Sequence, residues 1–169
     1  MTLVRDAASR PPRSQSDSSA RLGVYLHPGH VFAAAEPASV TTILGSCVAV
    51  CLFDRQRRVG GVSHFVLPSA GSGVTSSARF ADVALRDLIS RVLALGGERT
   101  SVEAKVFGGA SVLDHGPSAR RRLGDENVRH AVAFLEAEGM PIAARDTGGT
   151  QGRKLIFHTD TGTAWVKHL

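Results

Sequence analysis

The stretch Thr41–Pro68, TTILGSCVAVCLFDRQRRVGGVSHFVLP, contains two apolar runs separated by a polar break. Val48–Phe53 and Val59–Leu67 are rich in β-branched and aromatic residues, which favour β-strands. The intervening segment Asp54–Arg58 has the composition of a turn. The pattern therefore predicts a β-hairpin, and the rest of the chain is interpreted around it.

The register of this hairpin decides whether Cys47 and His64 meet. A two-residue loop of Arg55 and Gln56 places Cys47 opposite His64, and a loop one residue longer places Val48 opposite His64. No Asn-Gly or Asp-Gly marks a tight turn, so both registers stay open. In either register the thiol and the imidazole are direct or diagonal cross-strand neighbours, roughly 5–8 Å apart at Cβ, unless a slip puts them on opposite faces.

A thiol beside an imidazole is the minimal unit of nucleophilic catalysis, because the base helps to ionise the thiol. The alternative is that both residues are core packing, which is common for a cysteine in an apolar strand and for a lone histidine. Gly45 and Ser46 favour catalysis, since glycine lets backbone amides crowd towards a ligand and form an oxyanion hole. Cys51 shares a strand face with Cys47, but the CxxxC spacing fits neither a redox nor a zinc pair, so we predict that Cys51 packs.

The length of 169 residues predicts one domain, and the hydrophobic fraction of 43% is ordinary for a globular protein. Residues 1–21 are rich in Ser, Arg and Pro and predict a disordered basic tail before a domain over residues 22–169. The sequence has no apolar run long enough to span a membrane and no signal-peptide pattern. A disulfide between two cysteines four positions apart could not link distant parts of the domain, so we expect a reduced, cytoplasmic protein.

The formal charge of +5 and the pI near 10.0 raise the question of nucleic-acid binding. The basic residues are scattered, few aromatic residues lie among them, and no nucleic-acid motif is present, so we predict no nucleic-acid partner. A solvated basic surface that favours an acidic protein partner is the preferred interpretation. The residues concerned are Arg55, Arg57, Arg58, Arg120, Arg121, Arg122, Arg153 and Lys154.

The remaining pattern predicts an α/β domain in which a mixed β-sheet carries helices on its outer side. Apolar residues at helical spacing predict a first helix over Arg79–Leu95, capped by Ser77, and a second helix that begins at Gly124 or Asp125. Short strands are predicted at Leu22–Leu26, Val31–Ala35, Val40–Leu44, Ser101–Phe107, Ile142–Arg145, Lys154–His158 and Thr163–Lys167.

No metal or cofactor site is predicted. His27 and His30 lie in a segment with turn composition and have no further ligands at metal-binding spacing. The glycine-rich stretch Gly148–Lys154 lacks the spacing of a phosphate-binding loop and leads into a strand. Loops at Ser69–Ser77 and Asp146–Gly152 are candidates for substrate contact.

Four motifs occur in this order: LGSCVAVCLFD, VGGVSHFVLP, AKVFGGAS and DTGGTQGRKLIFHTDTG. Together they resemble the CheD family of bacterial chemotaxis proteins, which are chemoreceptor glutamine deamidases. The resemblance extends from about Leu22 to Lys167. It implies an α/β sandwich similar to the catalytic domain of the cytotoxic necrotizing factor toxins. One departure is Glu126-Asn127, where the family commonly has Arg-Asn.

The resemblance also implies a cysteine hydrolase, a protein-glutamine glutaminase that needs no cofactor. Its nucleophile falls on Cys47, its general base on His64 and its third catalytic residue on Thr41, with Thr42 as the alternative if the alignment shifts by one. The implied substrates are cytoplasmic helices of methyl-accepting chemoreceptors. Hydrolysis of receptor glutamyl methyl esters and regulation of the CheC phosphatase by binding are alternative functions. The loop residues proposed to contact substrate are Ser69, Thr75, Thr147, Gly148 and Gly149.

Overall fold

A computed structural model describes residues 2–4, 21–71, 76–111 and 119–169, with the side chains of residues 2–4 and 119–122 left aside. These ranges contain ten strands and two helices. The strands are β1 (Thr2–Val4), β2 (Leu22–Tyr25), β3 (His30–Ala34), β4 (Ala38–Leu44), β5 (Val48–Asp54), β6 (Val59–Phe65), β7 (Val102–Gly108), β8 (Ile142–Thr147), β9 (Arg153–His158) and β10 (Ala164–His168). The helices are α1 (Ala81–Ala94) and α2 (Ala119–Ala137).

The strands form two five-stranded mixed sheets. Sheet 1 has the order β1-β10-β9-β4-β2 and sheet 2 has the order β3-β6-β5-β7-β8. The predicted α/β class with helices outside is confirmed, but the strands expected in one sheet belong to two. The physical reason lies between β4 and β5, which are consecutive in sequence and pair with different neighbours. A turn at residues 45–47 carries the chain from sheet 1 into sheet 2.

Two hydrophobic cores hold the three layers together. One lies between sheet 2 and the helices, and the other lies between the two sheets. Strand β5 serves both cores, since all seven of its residues are buried. Val48, Val50 and Leu52 belong to the helix-side core, whereas Ala49, Cys51 and Phe53 belong to the core between the sheets. Cys51 therefore packs, as predicted.

The central hairpin is confirmed, but both predicted registers are wrong. Val48 pairs with Phe65 and Ala49 with His64, which leaves a four-residue loop at 55–58. The longer loop is stabilised by Asp54, whose Oδ1 accepts hydrogen bonds from the backbone N–H groups of Gln56 and Arg57 at 2.9 Å each. Such an Asx turn replaces the glycine-based turn for which the sequence gives no evidence.

Both helices differ from their predicted starts. Helix α1 begins at Ala81, and its N-cap is Phe80, with no side-chain capping bond, so the predicted cap at Ser77 is wrong. The first N–H of the helix, that of buried Ala81, donates instead to the Leu67 carbonyl at 2.9 Å. Helix α2 begins at Ala119, so Gly124 and Asp125 lie inside it. The polar and glycine residues at 124–127 look like a start signal but are compatible with a helix interior whose buried face is fixed by packing.

The predicted tail contains one strand. Thr2–Val4 pairs antiparallel with Ala164–Val166 at the edge of sheet 1, while residues 5–20 lie outside the described ranges. Residues 112–118 also lie outside them. None of the helices in the described part of the chain combines the length and apolar character needed to cross a membrane.

Candidate active site

Cys47 lies at the end of the turn that links the two sheets. Hydrogen bonds to the carbonyl groups of this turn hold its backbone in place. The Gly45 carbonyl accepts a hydrogen bond from the Ala110 N–H at 2.7 Å. The Cys47 carbonyl accepts one from the Gly109 N–H at 2.8 Å. Both donors follow strand β7, so the end of this strand fixes the position of the proposed nucleophile.

Glycine is required where β7 approaches Cys47. Gly108 has φ +106°, and a Cβ placed on it would lie 2.2 Å from the Cys47 carbonyl oxygen. Gly109 has φ +70°, and a Cβ there would lie 2.4 Å from the Val128 side chain. A side chain at either position would push the strand away from the turn or from α2. The Gly-Gly pair in the motif AKVFGGAS therefore allows the close contact between β7 and the Cys47 turn.

A third carbonyl of the turn is held by a side chain. Asn127 on helix α2 donates from Nδ2 to the Ser46 carbonyl at 3.0 Å and to the Val66 carbonyl at 2.9 Å. Asn127 is fully buried. The helix therefore connects the Cys47 turn with the segment that directly follows the His64 strand.

His64 lies on β6 on the same face as Cys47. Ala49 pairs directly with His64, and Cys47 is two positions before Ala49, so strand alternation places Cys47 and His64 on one face as diagonal neighbours. His64 is only 1% exposed, whereas Cys47 is partly exposed. No hydrogen bond joins the Cys47 thiol to His64 Nε2 among the described residues, so the close approach of thiol and imidazole stays a prediction.

The hydroxyl of Thr42 fixes the tautomer of His64. Thr42 Oγ1 lies 2.8 Å from His64 Nδ1 and donates its single proton to the Leu26 carbonyl at 2.8 Å. A hydroxyl has one proton to donate, so Thr42 must accept from Nδ1–H. Neutral His64 then carries its lone pair on Nε2, the tautomer that a general base needs. This nitrogen is buried and has no hydrogen-bond partner among the described residues.

Of the two threonines that the resemblance offered as third catalytic residue, it is Thr42, and not Thr41, whose hydroxyl contacts His64. Along β4 the burial alternates: Val40, Thr42 and Leu44 are buried, whereas Thr41 is only partly buried. Thr41 pairs with Tyr25 and Ile156 in sheet 1 and lies on the outer face of that sheet. A one-residue shift in a strand moves a side chain to the opposite face.

Both members of the pair are neutral near pH 7. Burial lowers the pKa of His64 to about 4, and the charges of His30 and His27 act in the same direction. Burial also raises the pKa of the Cys47 thiol, an effect that its own backbone N–H and the positive charge of Arg79 oppose. The thiol and the imidazole are thus both uncharged, which excludes a preformed thiolate–imidazolium ion pair as the resting state.

The predicted substrate loops lie on two sides of α2. Ser69, which is exposed, and the partly buried Pro68 border a depression that is completed by Glu126, Arg129 and His130 of the helix. Thr147 and Gly148 border a second depression with Asp125, Val128 and Arg129. Arg129 is shared by the two depressions. Gly149 is exposed, and Thr75 lies outside the described residues.

Arg153 is buried, so the prediction that it belongs to a solvated basic surface is wrong. Its side chain is 3% exposed and pairs with Asp146 through Nε at 2.8 Å. Its Nη2 donates to the Gly148 carbonyl at 2.7 Å, and the Gly148 N–H donates to the Gly108 carbonyl at 2.9 Å. This buried cation braces the loop after β8 against the strand that holds Cys47.

Metal binding has no structural support in the described ranges, where no group of three or more His, Cys, Asp or Glu side chains could hold an ion. The rings of His27 and His30 lie 6.1 Å apart between centroids in an edge arrangement. Strand β9 follows Gly148–Gly152, which agrees with the exclusion of a phosphate loop before a helix.

Asn127 is the site residue that the sequence analysis missed. It lies four positions before Ala131 and eight before Leu135, which are buried on the same helix. The sequence signal was a polar residue on the apolar face of a helix. Such a residue is buried, and a buried amide requires hydrogen-bond partners. The departure noted at Glu126-Asn127 does not affect this residue, since the asparagine is retained.

Comparisons with known proteins place these observations in a family context. The family described as "CheD chemotactic sensory transduction" matches residues 66–168, which begin just after His64. A probable chemoreceptor glutamine deamidase CheD 1 of Anaeromyxobacter dehalogenans is 52% identical over 149 residues, 88% of this chain and 86% of the relative. A probable chemoreceptor glutamine deamidase CheD of Rhodospirillum rubrum is 46% identical over 145 residues, 86% of this chain and 81% of the relative.

A more distant relative gives the same description. The protein of Trichlorobacter lovleyi, also named probable chemoreceptor glutamine deamidase CheD, is 39% identical over 88% of this chain and 92% of its own length. Among solved structures, the Neisseria meningitidis protein NMB0706 of family DUF152 covers 76% of this chain and 63% of its own, with 13% identity and a TM-score of 0.44. That TM-score is too low to establish a common fold.

Proposed function

The chain belongs to the CheD family, and on this premise we propose that it deamidates selected glutamines of chemoreceptors, with Cys47 as nucleophile and His64 as general base. The observation that carries the proposal is the Thr42–His64 contact. Because Thr42 is committed to the Leu26 carbonyl, the basic lone pair of His64 is on Nε2, on a side chain that shares a sheet face with Cys47. Thr42 is accordingly the positioning residue, in place of Thr41.

The first half of the reaction forms a thioester. His64 Nε2 takes the proton of the Cys47 thiol as the sulfur attacks the side-chain carbonyl carbon of glutamine. The resulting tetrahedral oxyanion collapses, the C–N bond breaks, and the amine takes the proton from His64 and leaves as ammonia. The neutral resting pair suits this sequence, since the thiolate is generated only as it attacks.

The second half releases glutamate. Water gives a proton to His64 Nε2 and attacks the thioester carbonyl carbon, the C–S bond breaks, and the proton returns to the Cys47 sulfur. The net reaction consumes one water and the glutamine amide and yields glutamate and ammonia. No cofactor takes part in either half.

The oxyanion hole is proposed to use the backbone around Gly45 and Ser46. In a trans peptide, the carbonyl of one residue and the N–H of the next point in opposite directions. The Gly45 and Ser46 carbonyls are directed towards Ala110 and Asn127, so the N–H groups of Ser46 and Cys47 point the other way. We propose that these two N–H groups donate to the oxyanion.

We propose that the substrate is a cytoplasmic helix of a methyl-accepting chemoreceptor and that the protein acts in the cytoplasm. The loop residues Ser69, Thr75, Thr147, Gly148 and Gly149 are proposed to contact that helix. Similarity of the fold to the catalytic domain of cytotoxic necrotizing factor and a partnership with CheC remain predictions that the family resemblance implies.

The test is ammonia release from a purified receptor cytoplasmic fragment. Wild-type protein and Cys51→Ala should release ammonia at similar rates, whereas Cys47→Ala should release none while keeping its circular dichroism spectrum. A parallel incubation with a methylated receptor fragment monitors methanol, which reports the ester hydrolase alternative. Ammonia release by Cys47→Ala at the wild-type rate would rule out Cys47 as nucleophile.

A further inference from the structure

Asn127 is the feature of the site that the proposed reaction does not yet use. Its two Nδ2 hydrogen bonds end on the Ser46 carbonyl, at 3.0 Å, and on the Val66 carbonyl, at 2.9 Å. The first carbonyl belongs to the peptide that also contains the Cys47 N–H. The second lies two residues beyond His64. One side chain therefore contacts the backbone next to the nucleophile and the backbone next to the base.

The orientation of the Asn127 amide follows from its partners. Both neighbouring groups are carbonyl oxygens, which only accept, so the NH₂ end must face them. The other end, Oδ1, is buried and has no partner among the described residues. A buried acceptor without a partner is destabilising, so the contribution of Asn127 must come from the two hydrogen bonds that its Nδ2 donates.

Helix α2 is brought close enough for this contact by Gly124. A Cβ on Gly124 would lie 2.6 Å from the Gly109 carbonyl oxygen, so the helix backbone packs directly on the segment that holds the Cys47 turn. Asn127 follows three residues later, on the same side of the helix. The contact is therefore part of the packing of α2 on β7 and does not depend on a long, flexible side chain.

We propose that Asn127 is a positioning residue that holds the Ser46–Cys47 peptide in the orientation that directs the Cys47 N–H to the oxyanion, and that fixes this peptide relative to the His64 strand. With its carbonyl bound to Asn127, the peptide cannot flip, and its N–H points to the opposite side. An N–H group that is directed to the oxyanion stabilises the transition state more than the bound substrate. The kinetic test of this inference rests on the proposed deamidase function. The effect of Asn127 on the Cys47–His64 pair can be measured without that function.

The kinetic test compares Asn127→Ala with Leu135→Ala on the receptor fragment. Both wild-type side chains are fully buried on α2, and both variants truncate them to alanine. At a temperature where both variants are folded, Asn127→Ala should lower kcat by roughly 10- to 100-fold with KM little changed, and Leu135→Ala should keep the wild-type kcat. Equal kcat in the two variants would overturn the inference.

A second measurement needs no receptor. Iodoacetamide alkylation of Cys47 is followed in the wild type, His64→Ala, Asn127→Ala and the double variant, and the four rate constants form a double-mutant cycle. If Asn127 fixes the thiol relative to the base, removing His64 slows alkylation by a larger factor in the wild type than in Asn127→Ala. The same factor in both backgrounds would overturn the inference, even if the receptor assay succeeds.

The hydrogen bonds themselves can be observed in the unmodified protein, which removes the dependence on a variant that folds. Asn127 is the only asparagine of the chain. Protein labelled with ¹⁵N at the asparagine side chain should give one pair of amide signals, both slow to exchange with solvent. Exchange of both protons at the rate of a free amide would contradict the contacts. Failure of wild-type deamidation with an intact alkylation cycle would instead remove the proposed function and leave the positioning role.

Discussion

The two cysteines of this chain are four residues apart, yet one lies inside a buried strand and the other in the turn before it. Cys51 is in the middle of β5, is 1% exposed, and has Lys105 and Val62 as its strand neighbours. Cys47 lies just before the same strand, in a turn that is partly exposed and whose carbonyls are all bound from below. The proposed chemistry at Cys47 depends on this turn, because the turn leaves the thiol partly exposed.

The comparison is tested most strongly by alkylation of the native protein. Burial raises the pKa of Cys51 far above that of an ordinary thiol, and the positive charge of Lys105 opposes this only weakly. Cys47 should therefore react with iodoacetamide at least about 10³-fold faster than Cys51, since the thiolate is the reacting form. Peptide mapping after a timed reaction measures both rates. Comparable labelling of the two cysteines in folded protein would abolish the distinction.

Removal of the base should have the next largest effect. His64→Ala should lower kcat on the receptor fragment by roughly 10²–10⁴-fold, the usual contribution of a general base. A matched control is His30→Ala, which removes the cross-strand partner of His64 on β3 and keeps the pair itself. Full activity of His64→Ala would mean that Cys47 ionises without help and that the neutral pair described above is incorrect.

Substitution of the adjacent threonines Thr41 and Thr42 should change activity by different amounts, and both effects should be smaller than that of His64→Ala. Thr42→Val keeps the shape of the side chain but loses the hydroxyl that accepts from His64 Nδ1–H. We expect a loss of about 10-fold in kcat, since a neutral hydrogen bond contributes about 1 kcal/mol. Thr41→Val, on the outer face of sheet 1, should keep wild-type activity. The reverse result would support the alignment that places the third residue on Thr41.

The smallest expected effect is on stability as a function of pH. The pKa of His64 is lowered from an ordinary 6.5 to about 4, so the unfolded chain binds a proton in a pH range where the folded protein does not. Stability contributed by neutral His64 is therefore present above pH 6.5 and is lost as the pH falls towards 4.

Urea unfolding at pH 7 and pH 5.5 measures this loss. His64 should account for about 1 kcal/mol between these two values, which His64→Gln should remove from the difference. Asp54 affects stability in a separate, lower pH range. Burial raises the pKa of its carboxyl group, but hydrogen bonds from the N–H groups of Arg57 and Glu98 have the larger effect, and the pKa is lowered. Its contribution is lost only below about pH 4. An identical pH dependence in wild type and His64→Gln would contradict the lowered pKa of His64.

The sequence predicted the hairpin, because strand composition depends only on local residues, but it left open whether Cys47 and His64 share a face. It did not predict the register, which depends on a four-residue loop held by the Asp54 carboxylate. It also did not predict that β4 and β5 belong to different sheets, since the turn between them carries no signal that distinguishes a hairpin from a crossing.

The choice between Thr41 and Thr42 shows a second kind of limit. Each hydroxyl is one residue from the other, and only the burial pattern of β4 decides which one faces His64. Asn127 is far from both in sequence and reaches the site because α2 packs on β7 through Gly124. Contacts that depend on how layers pack cannot be obtained from periodicity within one element.

The central claim is that Cys47 converts receptor glutamines to glutamates, and peptide mass spectrometry tests it most directly. A receptor cytoplasmic fragment is incubated with wild-type protein, Cys51→Ala or Cys47→Ala and then digested. The account predicts a gain of about one dalton at particular glutamines, from replacement of the amide by a carboxylate after thioester hydrolysis, with wild type and Cys51→Ala but not with Cys47→Ala. The same gain with Cys47→Ala, or none with folded wild-type protein, would contradict it.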